Sequence, residues 1–179
     1  MRYVGQGVAA VLALLCAACA GSVAPPATMS GDAPALVESN YARECAAYAR
    51  ERSGIALYGD AYTWWDQAQG RYGRESAPQP GAVLVLTGYA GPKRGHLAVV
   101  TRIVAPREIR VDHANWLNDG NLYLNTPVID VSPANDWSEV RVWNTREGHL
   151  GGNTYAVQGF IAPFAAPHEI TAASGGPAF

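Results

Sequence analysis

Charge is scarce in this sequence. Lys and Arg together number 13 of 179 residues, Asp and Glu 15, and the net charge is −2. No basic field or Lys/Arg run is available to hold nucleic acid by bulk electrostatics, so a nucleic-acid partner is not expected. A long apolar run is also missing. The most apolar stretch, Val8 to Ala18, falls well short of the ~20 residues that a membrane-spanning helix needs. Cysteine is limited to Cys16, Cys19 and Cys45. Cys45 and the histidines show neither HExxH nor Cys-x-x-Cys spacing, so neither a metal nor another cofactor is expected. Asp60, Asp66 and Glu75 form no convincing carboxylate pair, since each has a capping or surface role open to it. Glycoside cleavage, which usually needs two such groups, is disfavoured.

What is present begins with an address. Arg2 followed by the Val8–Ala18 run reads as a signal peptide over residues 1–20, so the mature protein is expected to be exported. Ala18-Cys19-Ala20 offers cleavage before Gly21, which yields a secreted protein. Cys16-Ala17-Ala18-Cys19 is similar to a lipobox, with Cys16 where Leu is usual. It offers lipidation of Cys19 and a membrane attachment through that lipid, and it is the favoured reading. A periplasmic or outer-membrane lipoprotein is then expected, because Ala20 is not the Asp associated with inner-membrane retention. Residues 21–38, rich in Ala, Pro, Ser and Gly, read as a flexible tether. Residues 39–164 read as one catalytic domain, expected to be a monomer, and 165–179 as a disordered tail.

Inside the domain, helical spacing runs from Arg43 to Arg52 and stops at Ser53-Gly54. Ala61 to Gln69 reads as a second short helix. Strands follow over Ala82–Thr87, His96–Val104, Glu108–Trp116, Glu139–Asn144 and Tyr155–Ala162. The Asn-, Asp- and Pro-rich stretch from Leu117 to Asp136 reads as a loop with one short strand near Val128–Val131. Helices first and antiparallel strands after them argue for an α+β fold, with N-terminal helices packed on a curled sheet of about five to six strands.

With Cys16 removed and Cys19 either removed or lipidated, Cys45 is the single remaining thiol. An unpaired thiol in an oxidising compartment is a liability unless it is used. A thiol hydrolase needs a thiolate, an imidazole within reach and a polar group that orients the imidazole. Cys45 stands near a helix start, where the N-terminal partial charge favours a thiolate. His96 opens a strand. His113 and Asn115 follow at period two, on one face of the next strand, with Asp112 on the other. Either His113 or Asn115 is a candidate to orient His96. Each residue alone also has a structural reading: a satisfied strand histidine, a turn asparagine, an inert buried thiol. His149 and His168 take the structural reading.

The ordered set Cys45, Ser53-Gly54, Gly59-Asp60-Ala61, Trp64-Trp65, Pro80-Gly81-Ala82-Val83, Gly95-His96-Leu97-Ala98 and His113-Ala114-Asn115-Trp116 resembles the CHAP domains, cysteine- and histidine-dependent amidohydrolases and peptidases. The resemblance implies a papain-like fold with Cys45 as nucleophile, His96 as base and Asn115 in the family's Asn-Trp ending. It also implies cleavage of amide bonds in the peptide part of peptidoglycan, by an endopeptidase or an N-acetylmuramoyl-L-alanine amidase. Trp65 and Trp116 are candidates for a substrate groove. Two positions depart from the family pattern. His113 stands where many members have Glu, and Glu44 stands where many have a Gln able to donate to an oxyanion. Those departures are what an idle, wall- or partner-binding module would show, and that is the alternative; a thiol acyltransferase is a further option for the same dyad.

Overall fold

The computed structural model describes residues 33–91 and 93–163. The expected signal peptide, Cys19 and the C-terminal tail lie outside the described residues. The described residues form nine strands and two short helices: β1 (Ala35–Val37), α1 (Cys45–Ser53), a 3-10 turn (Ala61–Thr63), α2 (Trp64–Ala68), β2 (Gly73–Glu75), β3 (Val83–Thr87), β4 (His96–Ala105), β5 (Glu108–Ala114), β6 (Leu122–Asp130), β7 (Glu139–Asn144), β8 (His149–Leu150) and β9 (Tyr155–Ala162).

Antiparallel pairing runs β6-β5-β4-β3-β9-β7, and β7 also pairs with β6. The six strands therefore close into a barrel. This overturns the α+β, papain-like expectation of N-terminal helices layered on an open curled sheet. Strand accounts for 41% and helix for 13% of the described residues, so the fold is mostly β. The reason lies in the segment from Leu117 to Asp136. Its Asn and Pro content suggests a loop, yet nine of its residues form β6. Asn125 takes φ 52°, and near it the pairing with β5 slips between Val111 and His113. Such an irregularity bends a strand without ending it, and the bent β6 reaches both β5 and β7. The tether expected to extend to residue 38 likewise holds β1, which pairs with β6 from Ala35 to Val37. The helix expected over Ala61–Gln69 is a 3-10 turn followed by five helical residues, and it ends where Gln69 leaves helical geometry.

Alternation along β3 and β4 divides the apolar residues between two cores. Leu84, Leu86, Ala98 and Val100 point into the barrel with Val111, Trp137 and Phe160. Val83, Val85, Leu97 and Val99 point outward and are covered by Ala49, Ile55, Leu57, Trp64 and Ala68. The helices thus cap one outer wall. α1 packs on β4 and β5, is stopped by Gly54 at φ 74°, and carries Arg50 and Arg52 in its last turn, where cations favour the helix dipole. Arg52 also reaches Asp112 across that outer wall at 3.5 Å.

Candidate active site

Cys45 is the first residue of α1. Glu44, in the N-cap position, is extended (φ −86°, ψ 143°) and places no side-chain cap on the helix. The first amides of α1 therefore stay available, and those of Cys45 and Ala46 act on the sulfur. The sulfur also feels the Leu97 amide, the residue directly after His96. This sets the thiol beside the opening of β4. Burial raises the Cys45 pKa and outweighs the lowering by these amides, while the Glu44 charge pushes it further up.

His96 shares the parity of Ala98 and Val100, and His113 that of Ile109 and Val111, so both point into one end of the barrel. They are 2% and 1% exposed. His96 Nε2 lies 2.9 Å from His113 Nδ1, which leaves His96 Nδ1 as the nitrogen for other work. Trp116 lies against both rings, at 4.8 and 5.2 Å between centroids, and Tyr89 lies over His96 at 5.2 Å. In this aromatic enclosure burial, and then the neighbouring His113, lower the His96 pKa well below the ordinary imidazole value. Burial takes His113 down to about 3, and only Asp119 opposes it. Asp119 accepts from Tyr123 at 2.5 Å and from Arg146 at 2.7 Å, so its charge is fixed beside the far end of the histidine pair.

Asn115 takes a different course from the one its spacing suggests. β5 ends at Ala114, and Asn115 turns into the left-handed region at φ 59°. Its side chain leaves the His113 face, donates from Nδ2 to Glu44 Oε2 at 3.1 Å, and accepts from Gly120 N at 2.8 Å. The structure brings His113, not Asn115, to His96. Asp112 faces outward, where it accepts from Asn125 N and pairs with Arg52.

Cys45, His96 and Asn115 line one open cleft of about 530 Å³. Neither candidate groove tryptophan lines it. Trp65 packs under Arg74, 4.9 Å from its guanidinium, against the outer core, and Trp116 is the 5% exposed floor beneath the histidines. Residues that the sequence reading missed do line it: Tyr62, Tyr89, Asp60, Lys93 and Arg94. The signal for the last two was their place in the loop leading to His96; nothing in the sequence singled out Tyr89. Among the described residues, no group of three or more His, Cys, Asp or Glu side chains converges as a metal site.

Residues 37–115 match the model of the CHAP domain, a cysteine- and histidine-dependent amidohydrolase/peptidase domain. The match begins in β1 and ends at Asn115, so it takes in Cys45, His96 and His113. No curated protein matches the chain.

Proposed function

We propose that this CHAP-domain protein is an exported cysteine hydrolase that cleaves amide bonds in the peptide part of peptidoglycan. The observation that carries the reading is the junction of two separate layers at one cleft. A thiol at a helix N-terminus lies beside the opening of β4, whose first residue is a buried imidazole already engaged through its far nitrogen.

In this mechanism the resting pair is neutral, because burial raises the thiol pKa and lowers that of the imidazole. As Cys45 Sγ attacks the scissile carbonyl carbon, its proton passes to His96 Nδ1. His96 Nε2–H donates to His113 Nδ1, which holds the ring and supports the imidazolium that forms. The oxyanion meets the uncapped amides at the start of α1. These take over the donor role that ionised Glu44 cannot fill. His96 then protonates the leaving amine and the C–N bond breaks, which leaves an acyl-thioester on Cys45. Water, deprotonated by His96, releases the acid and the free thiol.

Digestion of purified wall fragments with mass spectrometry of the products tests the reading. Shortened peptide still attached to the disaccharide indicates an endopeptidase, and this is the expected result. Free peptide with intact disaccharide indicates an amidase. New reducing ends from glycan cleavage would overturn the thiol mechanism.

We further propose that the mature protein starts at a lipidated Cys19 and resides at the outer membrane, on the strength of Cys16-Ala17-Ala18-Cys19 followed by Ala20. Labelling cells with an azido fatty acid should mark the wild type and leave Cys19→Ala unmarked. A soluble, unlabelled protein beginning at Gly21 would replace this with plain secretion.

A further inference from the structure

The loop after β5 is fastened to the residues just before the nucleophile. Asn115 donates to the Glu44 carboxylate at 3.1 Å and accepts from Gly120 N at 2.8 Å. Arg43 N donates to Gly120 O at 3.2 Å, and Asn115 N donates to Asn121 O at 2.8 Å. Gly120 lies so close that a Cβ on it would stand 2.8 Å from Ala42 Cα. Backbone and side chain together therefore dock residues 42–44 onto the 115–121 loop. The left-handed turn at Asn115 aims its amide at Glu44 and away from the histidines.

We propose that Asn115 is a positioning residue for the nucleophile rather than for the base: its hydrogen bond to Glu44 fixes the start of α1 against the end of β5 and holds a carboxylate at a set place beside Cys45. His113 alone then orients His96, and the two partners of the dyad are placed by two independent devices. Glu44 adds to the burial that raises the thiol pKa. The other charged or titratable groups of the cleft are His96 from β4, Tyr89, Lys93 and Arg94 from the loop before β4, and Asp60 and Tyr62 from the segment before α2. Glu44 is the one on the nucleophile's own element. Its hydrogen bond to Asn115 spreads its charge and keeps it off the thiol. Releasing it should make the thiol harder to ionise.

The inference rests on Cys45 being the nucleophile, but its readout is the thiol itself, so it can fail or succeed whether or not hydrolysis is detected. The measurement is the pH dependence of Cys45 alkylation by iodoacetamide in the folded protein. Asn115→Gly removes the side chain while permitting the left-handed backbone. It should raise the apparent thiol pKa and slow alkylation near neutral pH about two- to tenfold. Glu44→Gln should lower that pKa, and Asn115→Gly should have little further effect in its background. Asn115→Asp should be worse than Asn115→Gly, because it sets two carboxylates against each other. Combining it with Glu44→Gln restores a hydrogen bond with donor and acceptor exchanged, and alkylation should return toward the wild-type profile. The proposal is overturned if Asn115→Gly leaves the profile unchanged, if its effect is the same with and without Glu44, or if the exchanged pair is no better than Asn115→Asp alone.

Discussion

His96 and His113 meet edge to face, their rings 82° apart, with Nε2 of the first 2.9 Å from Nδ1 of the second. One hydrogen bond between adjacent strands thus couples the tautomers of the two rings. If His96 Nδ1 is to accept the thiol proton, His96 Nε2 must carry hydrogen, and His113 must be protonated on Nε2. That nitrogen is buried with no hydrogen-bond partner, within an aromatic wall of Trp116 and Tyr123.

Cys45→Ala should abolish amide hydrolysis and leave the fold intact. The side chain is small and half-buried at the edge of the outer core, so the stability loss should stay near ~1 kcal/mol. Product analysis and a urea melt check both halves. Hydrolysis near the wild-type rate would end the catalytic reading.

His113→Ala should slow turnover about ten- to a thousand-fold, because His96 Nε2–H then has no acceptor in a buried site. His113→Gln offers a carbonyl oxygen at similar reach and should recover part of the loss. Equal rates for the two variants would mean that accepting the His96 hydrogen bond is not what position 113 supplies.

The acid limb of kcat/KM should fall below the ordinary histidine value of about 6.5. His96 must be neutral to accept the thiol proton, and burial with the neighbouring His113 holds its pKa well down. The same shifts set a stability window. Both histidines take up protons less readily when folded, so the unfolded chain binds more protons as the pH falls from about 6.5 towards the folded values, about 3 for His113. Stability is full above that window and is lost through it. Urea midpoints between pH 3 and 8 should show the slope, and His113→Asn should flatten it.

Gly159→Ala should destabilise the barrel by ~2–4 kcal/mol. A Cβ there would stand 2.4 Å from the Trp65 ring and 2.7 Å from Glu75 O, at a backbone φ of 147°. The site lies elsewhere, so specific activity per folded molecule should hold while the melting temperature drops. An unchanged melting temperature would show that β9 relaxes around the added methyl.

Much of this was readable beforehand because it is local. Glu139–Asn144 alternates, both it and the Tyr155–Ala162 run are bounded by turn residues, and the two form strands over the expected limits. Cys45 at a helix start and His96 at a strand start follow from the same kind of pattern. What escaped depends on tertiary geometry. β6 contains Asn125 and Pro127, which weaken any strand signal, and it is held by partners on both sides. Barrel closure, and with it the departure from a layered α+β fold, hinges on that strand. Period-two reasoning placed His113 correctly beside His96 but failed two residues later. It assumes extended backbone, and Asn115 has left the strand. Tyr89 reaches His96 from a loop, where no periodicity exists to betray it.

The closed ring of strands also bears on how the protein ages. His96 and His113 stand on β4 and β5, each laddered on both flanks, whereas Cys45 rides on a nine-residue helix applied from outside. Heat or mild denaturant can lift that helix at less cost than opening the ring. Loss of activity should therefore precede loss of the β signal in circular dichroism, leaving an intermediate that is still folded yet already catalytically silent. Cooling such a sample should restore its catalysis without any refolding of the barrel.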